Sequence, residues 1–204
     1  MEPRCLHAGP KAVAEAARII KAGGLVAIPT DTVYGLACDP TSAPSVKKLF
    51  EAKGRAKRPV PVLCSNLHVA ERLVSLDEEA MRLANRHWPG ALTVVASMKE
   101  GSGLSELLHQ GSGFLGVRVP SSAFCVRLAQ RVGGVITGTS ANLSGEPSCR
   151  TAASVIKSLD GRVELVVDGG RLIGKESTVV KVTRFGVEVL REGSVRIQEG
   201  GEKA

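Results

Sequence analysis

One segment is the most informative about the architecture: Leu25-Val26-Ala27-Ile28-Pro29-Thr30-Asp31-Thr32-Val33-Tyr34-Gly35. Its first four residues are apolar and follow a Gly-Gly pair, which predicts a short buried strand. Pro29 is expected to end that strand, so the polar residues after it lie at its carboxyl end. Open α/β sheets usually bind ligands at this edge. We therefore interpret residues 30–35 as part of a candidate site.

The sequence on either side of this segment alternates between helix and strand patterns. Before it, Pro10 can begin a helix that Gly23-Gly24 ends, and the predicted apolar face consists of Ala12, Val13, Ala16, Ala17, Ile19 and Ile20. Further helices are predicted near residues 43–52, 69–74, 78–84, 123–131 and 151–159. Strands are predicted near residues 60–64, 92–95, 116–120, 134–137, 165–167, 178–180 and 187–190. This order predicts an α/β fold with a twisted mixed sheet and helices on its faces.

Composition favours an anionic partner. The chain of 204 residues carries a formal net charge of +7 and has a pI near 9.4. With one Trp, one Tyr and four Phe, it lacks the interleaved aromatic residues of proteins that stack single-stranded nucleic acid. A groove that holds phosphates remains compatible with this composition.

The cysteines and the N-terminus indicate the compartment. The five cysteines are widely spaced, form no CxxC pair and have no regular spacing to histidine. This argues against a zinc site and for a reducing compartment, with each cysteine as a small buried side chain. The N-terminus has no long apolar segment, so neither secretion nor membrane insertion is supported. We expect a cytoplasmic protein without membrane contact.

A first cluster of charge lies between positions 47 and 58, and its cations are Lys47, Lys48, Lys53, Arg55, Lys57 and Arg58. Such a run is expected to lie in water or to face negative charge. It is typical of a solvated surface, but arginine also pairs well with phosphate oxygens. Both interpretations stay open on this pattern alone.

A second cluster, Thr139-Ser140-Ala141-Asn142-Leu143-Ser144-Gly145, follows an apolar strand. Its small hydroxyl and amide groups allow a backbone to approach a phosphate closely, although the same residues also suit a capping turn before the helix at Thr151. The chain contains no GxSxG, GxGxxG or GxxxxGK[ST] motif. Serine nucleophiles, Rossmann dehydrogenases and P-loop enzymes are therefore disfavoured.

Arg118 is unusual because it lies in an otherwise apolar strand, where an unpaired charge is costly. Its partner is either an internal carboxylate, such as Asp31 or Asp168, or the carboxylate of a ligand. The glycine-rich segment 99–113 is the expected mobile part of the chain, as a lid or as a simple loop.

Taken together, the motifs resemble the YrdC-like family of threonylcarbamoyl-adenylate synthases over about residues 10–197. They are Pro29–Leu36, Lys53-Gly54-Arg55, Trp88–Thr93, Gly116–Pro120, Thr139–Gly145, Asp168-Gly169-Gly170, Ser177–Val180 and Leu190–Gly193. The resemblance implies a single YrdC-like domain over residues 1–204, with no additional C-terminal domain. It also implies a mixed sheet that encloses a positively charged concavity.

The same resemblance implies an activity. The expected enzyme is a nucleotidyltransferase that joins L-threonine, bicarbonate and ATP into threonylcarbamoyl-AMP and releases pyrophosphate. This is the first step toward threonylcarbamoyladenosine at position 37 of tRNAs, and a downstream transferase would complete it. Mg²⁺ is expected to accompany ATP. Weak binding of tRNA or other RNA is also compatible with the charge.

The resemblance assigns roles residue by residue. The ATP-binding positions are Lys53, Arg55, Arg58, Ser140, Asn142, Ser148 and Arg191, and the threonine-binding positions are Thr32, Arg118 and Ser177. No residue is assigned to a metal or to covalent catalysis, because positioning and charge neutralisation suffice for this chemistry. The chain departs from the family at Lys181, where an acidic residue is common.

Two rival functions remain at this level. A non-catalytic module could use the same basic concavity for double-stranded RNA or tRNA. A related carbamoyl-adenylating activity occurs in hydrogenase-maturation proteins, but this chain lacks the zinc-finger and acylphosphatase-like segments that accompany it there.

Overall fold

The structure is a computed structural model that describes residues 3–54, 58–183 and 186–197. Within those residues the helices are α1 (Pro10–Lys21), α2 (Ala43–Ala52), α3 (Leu67–Leu73), α4 (Glu78–His87), α5 (Ala123–Arg131) and α6 (Ala152–Leu159), and a 3-10 turn covers Glu106–Leu108. The strands are β1 (Arg4–His7), β2 (Val26–Pro29), β3 (Tyr34–Ala37), β4 (Val62–Cys64), β5 (Val74–Ser75), β6 (Leu92–Met98), β7 (Phe114–Arg118), β8 (Val135–Thr137), β9 (Thr139–Ser140), β10 (Leu165–Asp168), β11 (Thr178–Thr183) and β12 (Gly186–Arg191).

The strands form two mixed sheets. The first has the order β1-β10-β2-β3-β9 and is parallel from β1 to β2 and antiparallel from β2 to β9. The second has the order β12-β11-β6-β7-β4-β8, with β5 beside β6, and is parallel at β11–β6 and at β4–β7. The predicted α/β fold with mixed sheets and flanking helices is confirmed.

A single residue, Gly138, separates β8 of the second sheet from β9 of the first sheet. The chain crosses between the sheets at this residue. A side-chain carbon at this position would lie 2.7 Å from Cγ of Leu63 in β4, so the close approach requires glycine. The Gly138 N–H donates to the Pro61 carbonyl at 2.8 Å. This crossing delivers Ser140 to the edge of the first sheet, opposite Gly35 of β3.

The helices bury apolar faces against the sheets. All six residues predicted for the apolar face of α1 are buried, and α1 packs with α5 in one core cluster. A larger cluster contains side chains from both sheets and from α2, α3 and α6. A third, smaller cluster lies between α4 and the strands β6 and β11. In each cluster, the apolar face of at least one helix packs against side chains of a sheet.

The structure adds detail to two of the sequence-based expectations. The candidate loop at residues 30–35 is shorter, because Tyr34 already begins β3 and pairs with Pro29. Segment 99–113 is tied to the main core, since Leu104 and Leu108 are buried there and the Val60 N–H donates to the Leu108 carbonyl at 2.8 Å. In this part of the segment, the buried side chains of Leu104 and Leu108 attach the chain to the core despite the neighbouring glycines. Among the described residues, no helix has the length and hydropathy that a bilayer crossing requires.

Candidate functional site

One cavity, of about 550 Å³, is lined by residues of both sheets, and for that reason we call it the main cavity. Five of the predicted site residues contribute to its wall, namely Thr32, Arg118, Ser140, Ser177 and Arg191. These residues come from five separate places in the sequence, and the two sheets bring them together.

Thr32 is placed by a turn that its neighbour stabilises. The Thr30 hydroxyl donates to the Val33 carbonyl at 2.7 Å and accepts the Thr32 N–H at 3.0 Å. This hydroxyl-to-backbone turn is the local structure that threonine favours after a strand. It leaves the Thr32 hydroxyl 3.2 Å from Nη1 of Arg118.

Arg118 ends β7 and is only 5% exposed. Its Nε donates to the Gly90 carbonyl at 2.8 Å, and Nη2 lies 2.7 Å from Oδ1 of Asp31. The Nη2–Oδ1 contact is an ion pair without hydrogen-bond geometry, and neither atom has a hydrogen bond elsewhere. Of the internal partners expected for Arg118, the structure selects Asp31, whose other oxygen accepts from Ser121.

Asp168, the other carboxylate considered for Arg118, has different neighbours. Its Oδ1 accepts the Gly170 N–H at 2.9 Å and lies 3.4 Å from the Tyr34 hydroxyl, while Oδ2 is 3.7 Å from Nδ1 of His7. These contacts hold the turn after β10. Asp168 therefore has a structural role at the sheet edge, away from Arg118.

Ser177 and Arg191 form a second polar group in the main cavity. The Arg191 guanidinium donates from Nη2 to the Ser177 carbonyl at 2.8 Å and to the Ser177 hydroxyl at 3.1 Å. The same hydroxyl is 2.9 Å from that of Thr93. Partial desolvation lowers the pKa of Arg191, the nearby Glu176 carboxylate raises it, and Arg118 lowers it further. An anionic ligand would relieve the repulsion between these two cations.

Lys53 lies inside the protein, contrary to the expectation that the whole basic cluster faces water or negative charge. It is 2% exposed, and its Nζ donates to the main-chain carbonyls of Ser140 at 2.5 Å and Asn142 at 2.9 Å. The Lys53 carbonyl in turn accepts the Ser144 N–H at 3.0 Å. Carbonyl oxygens compensate the buried ammonium, so Lys53 supports the loop that follows β9.

A smaller cavity of about 180 Å³ adjoins the main one and shares Ser140 and Glu176 with it. Predicted site residues again line it, namely Lys53, Arg58, Ser140, Asn142 and Ser148. The Asn142 side-chain amide donates to the Glu146 carbonyl at 2.7 Å and so fixes the loop. The capping turn considered for this loop belongs instead to Thr151, which caps α6 itself. Arg55 lies outside the described residues.

A third cavity, of about 620 Å³, borders the same region on the side of Arg150 and Arg196. It shares Ser148 and Glu176 with the small cavity and Val33 and Glu176 with the main cavity. Glu176 is thus common to all three walls, and its carboxylate accepts a hydrogen bond from the Ser148 hydroxyl. Sequence reasoning missed Glu176; the only signal was its position directly before Ser177.

The remaining candidate groups do not form a second reactive centre. Among residues 3–54, 58–183 and 186–197 there is no cluster of three His, Cys, Asp or Glu side chains that could hold a metal ion. Burial raises the pKa of the Cys38, Cys64 and Cys125 thiols to about 12. These thiols are therefore protonated and unreactive at neutral pH, as expected for core residues.

Known proteins resemble this chain over most of its length. The family model Sua5_yciO_yrdC, described as "Telomere recombination", matches residues 18–193. The threonylcarbamoyl-AMP synthase of Bacillus subtilis is 38% identical over 186 residues, which are 90% of this chain and 54% of that protein. The threonylcarbamoyl-AMP synthase of Pyrococcus abyssi is 37% identical over 187 residues, again 90% and 54%. This chain thus spans about half the length of these curated relatives.

A solved structure shows the same fold. The crystal structure of P. abyssi Sua5 complexed with L-threonine superposes with a TM-score of 0.88 at 34% identity, and the match covers 95% of this chain and 58% of that one.

Proposed function

The chain belongs to the Sua5/YciO/YrdC family, and from this membership we propose that it is a nucleotidyltransferase that makes L-threonylcarbamoyladenylate and pyrophosphate from L-threonine, bicarbonate and ATP. The proposal rests mainly on one observation, the buried Arg118 in the wall of the main cavity. Arg118 donates to the Thr32 hydroxyl and, together with Ser177, lines a cavity large enough for an amino acid.

Arg118 suits the carboxylate of threonine. A guanidinium has five N–H donors, and here Nε and Nη1 make one directed hydrogen bond each while Nη2 contacts Asp31 without hydrogen-bond geometry. Donors are therefore left for a ligand carboxylate, which arginine binds in a planar, bidentate manner. The Asp31 ion pair keeps the guanidinium in place before the ligand arrives.

The nucleotide would occupy the adjoining part of the site. Arg191 at the edge of the main cavity and Arg58 in the small cavity supply positive charge, and Ser140, Asn142 and Ser148 supply polar groups next to them. Lys53 contributes by supporting the Ser140–Asn142 backbone. Because the two cavities share Ser140, ATP and threonine would meet at this residue.

The reaction then needs alignment and no covalent intermediate with the protein. The threonine amine attacks the carbon of bicarbonate, and loss of water leaves a carbamate. A carbamate oxygen then attacks the α-phosphorus of ATP, the bond to the β-phosphate oxygen breaks, and pyrophosphate leaves. Holding both substrates in fixed positions and offsetting the phosphate charge account for such catalysis.

We also propose that Mg²⁺ accompanies the ATP. When bound, the ion would neutralise part of the triphosphate charge. The small cavity offers hydroxyl, amide and carboxylate oxygens, including those of Ser148, Asn142 and Glu176. Oxygen donors of this kind suit Mg²⁺, which is usually held by one or two carboxylates together with substrate phosphates.

In the cell, this activity would provide the first step of threonylcarbamoyladenosine formation at position 37 of tRNA, with a separate transferase consuming the adenylate. The test is an assay of pyrophosphate release with ATP, L-threonine and bicarbonate, in which mass spectrometry identifies the adenylate. A protein that releases no pyrophosphate but binds RNA in a salt-sensitive manner would instead be the non-catalytic RNA-binding module.

A further inference from the structure

Glu176 occupies a position that no other described carboxylate shares. It contributes to the walls of the main, small and third cavities. The main and small cavities also share Ser140, and we call the junction that Ser140 and Glu176 line the passage. For the proposed reaction, that passage is where threonine and the phosphates of ATP would meet.

Within the part of the chain that the structure describes, Glu176 has no directly paired cation. Among the described residues its hydrogen-bond partner is the uncharged Ser148 hydroxyl, and no ion pair is formed with a described lysine, arginine or histidine. Glu176 does act at longer range on Arg191, which lies in the same cavity wall. A triphosphate brought to this passage would be repelled by the carboxylate unless a cation lay between them.

The surroundings of the carboxylate are rich in oxygen. The small cavity is lined by Ser140, Asn142, Ser144 and Ser148, and Glu146 contributes a second carboxylate. One oxygen of Glu146 is already engaged, because it accepts from the Ser158 hydroxyl of α6 at 2.6 Å. Glu176 is therefore the carboxylate that both adjoins the passage and belongs to the oxygen-lined cavity.

We propose that Glu176 is the ligand through which the protein binds the Mg²⁺ ion of ATP, an inference that rests on the proposed function. When bound, the ion would offset the charges of the carboxylate and of the phosphates, so a repulsive contact would become an attractive one. One carboxylate together with phosphates and water is a usual environment for Mg²⁺. The Ser148 hydroxyl orients the carboxylate, as groups next to metal ligands commonly do.

The proposal predicts effects of opposite sign with and without the metal. In Glu176→Gln, affinity for MgATP falls by about tenfold or more, because a metal ligand is lost. Affinity for ATP in EDTA rises in the same variant, because the repulsive charge is gone. A residue that merely supported the fold or oriented Ser148 would change both affinities in the same direction.

Calorimetric titration of the full chain with ATP, in Mg²⁺ and in EDTA, measures both affinities. Glu192→Gln is the matched control, since it removes a carboxylate from the wall of the third cavity alone; its ratio of MgATP to ATP affinity stays that of the wild type. Ser148→Ala leaves the charge of Glu176 in place, so this variant is expected to bind MgATP more tightly than it binds ATP in EDTA. A second readout replaces Mg²⁺ with Mn²⁺, whose electron paramagnetic resonance spectrum changes on binding with ATP to the wild type and changes less with Glu176→Gln.

The outcomes separate this inference from the proposed function. If the wild type binds ATP but Glu176→Gln leaves the preference for MgATP intact, Glu176 is not the metal ligand and the synthase proposal stands. If Glu176→Gln instead weakens threonine binding and leaves both ATP affinities unchanged, the carboxylate pairs with the amino group of threonine and the inference is overturned. If the wild type binds no ATP in either buffer, both proposals fail.

Discussion

Lys53 and Asn142, 89 residues apart in the chain, are joined inside the protein by a hydrogen bond of 2.9 Å from the Lys53 ammonium to the Asn142 carbonyl. The ammonium also reaches the Ser140 carbonyl, and the Lys53 backbone accepts from Ser144. Lys53, directly after α2, and the polar loop after β9 therefore belong to one structural unit. A change at Lys53 is expected to affect the nucleotide side of the site through this loop.

Lys53→Met is expected to destabilise the protein and to weaken ATP binding while threonine binding is retained. Two buried carbonyls lose their donor, and an unsatisfied buried polar group costs about 1–3 kcal/mol. Denaturant unfolding and separate titrations with ATP and threonine measure these effects. Lys48→Met is the matched control, because Lys48 forms an exposed ion pair with Glu164, and such pairs contribute about 0–1 kcal/mol. Equal losses in the two variants would contradict the role given to Lys53.

Arg118→Ala is expected to abolish threonine use and to leave ATP affinity nearly unchanged. The substitution also leaves the Asp31 carboxylate buried without its ion-pair partner, and breaking a buried pair in this way costs about 3–5 kcal/mol. The double variant Arg118→Ala with Asp31→Ala removes the unpaired charge and should recover much of the stability without recovering threonine binding. Separate titrations of the variants with ATP and with threonine test this prediction. If Arg118→Ala loses ATP binding but retains threonine binding, the two subsites are exchanged.

Arg55→Ala is expected to weaken ATP binding by about 1.5–3 kcal/mol, the usual contribution of a charge-assisted hydrogen bond. Arg55 lies outside the described residues, so this prediction rests on the sequence motif. Arg131→Ala, at the end of α5 on the surface, is the control for a general loss of positive charge. Calorimetric titration with ATP measures both, and an unchanged affinity in folded Arg55→Ala protein would remove this residue from the site.

Pyrophosphate release should require ATP, L-threonine and bicarbonate together, because an enzyme that works by alignment needs every reactant in place. Serine lacks the methyl group of threonine and should be used less well, by about 10–200-fold, the range that one methyl group allows in an apolar pocket. The assay withholds each component in turn and repeats the reaction with serine. Release at the same rate without threonine, or a product that lacks the threonylcarbamoyl mass, would refute the synthase proposal.

The Cys5 thiol should react with a disulfide reagent at pH 8 in the native protein before the other four thiols, and all five should react after unfolding; partial burial and the Asp168 carboxylate raise the pKa of Cys5, but its thiol is accessible to the reagent. Cys5 is the exposed cysteine, whereas Cys38, Cys64, Cys125 and Cys149 are buried. Burial raises the pKa of the first three of these buried thiols to about 12. At pH 8 they are protonated in the native protein, and the thiolate is the reactive form. Counting the released thiol chromophore against time, with Cys5→Ser as the control, tests the assignment; a rapid phase that survives this substitution would contradict it.

The sequence alone determined the local elements whose signals are short-ranged. The helical spacing of apolar residues between Pro10 and Gly23 predicted α1 and its six buried residues, and α2 and α5 have the bounds that the pattern indicated. Such patterns suffice because a helix depends on neighbours three and four residues away. The short strands β1, β3, β5 and β9 were missed, since two to four residues carry too little pattern to distinguish a strand from a loop.

The sequence also named polar residues that the structure places around the cavities, because their motifs are local too. All nine of the predicted site residues that the structure describes line the main or the small cavity: Thr32, Lys53, Arg58, Arg118, Ser140, Asn142, Ser148, Ser177 and Arg191. Their ligand assignments remain predictions, and what places them together is the pairing of strands from distant parts of the chain. The motifs could name these residues but could not give the distances between them.

Tertiary structure alone decided the environment of each charge. Nothing near Lys53 in the sequence indicates that its ammonium is buried under carbonyls 87 and 89 residues away. Likewise, the selection of Asp31 over Asp168 as partner of Arg118 follows from how the two sheets lie against each other, since the segment after β2 in one sheet and the end of β7 in the other bring the first pair to 2.7 Å. The position of Glu176 where three cavities meet has the same origin. The physical reason is that burial and the distances between charges depend on which segments pack against each other, and these quantities determine both the cost of a charge and its chemistry.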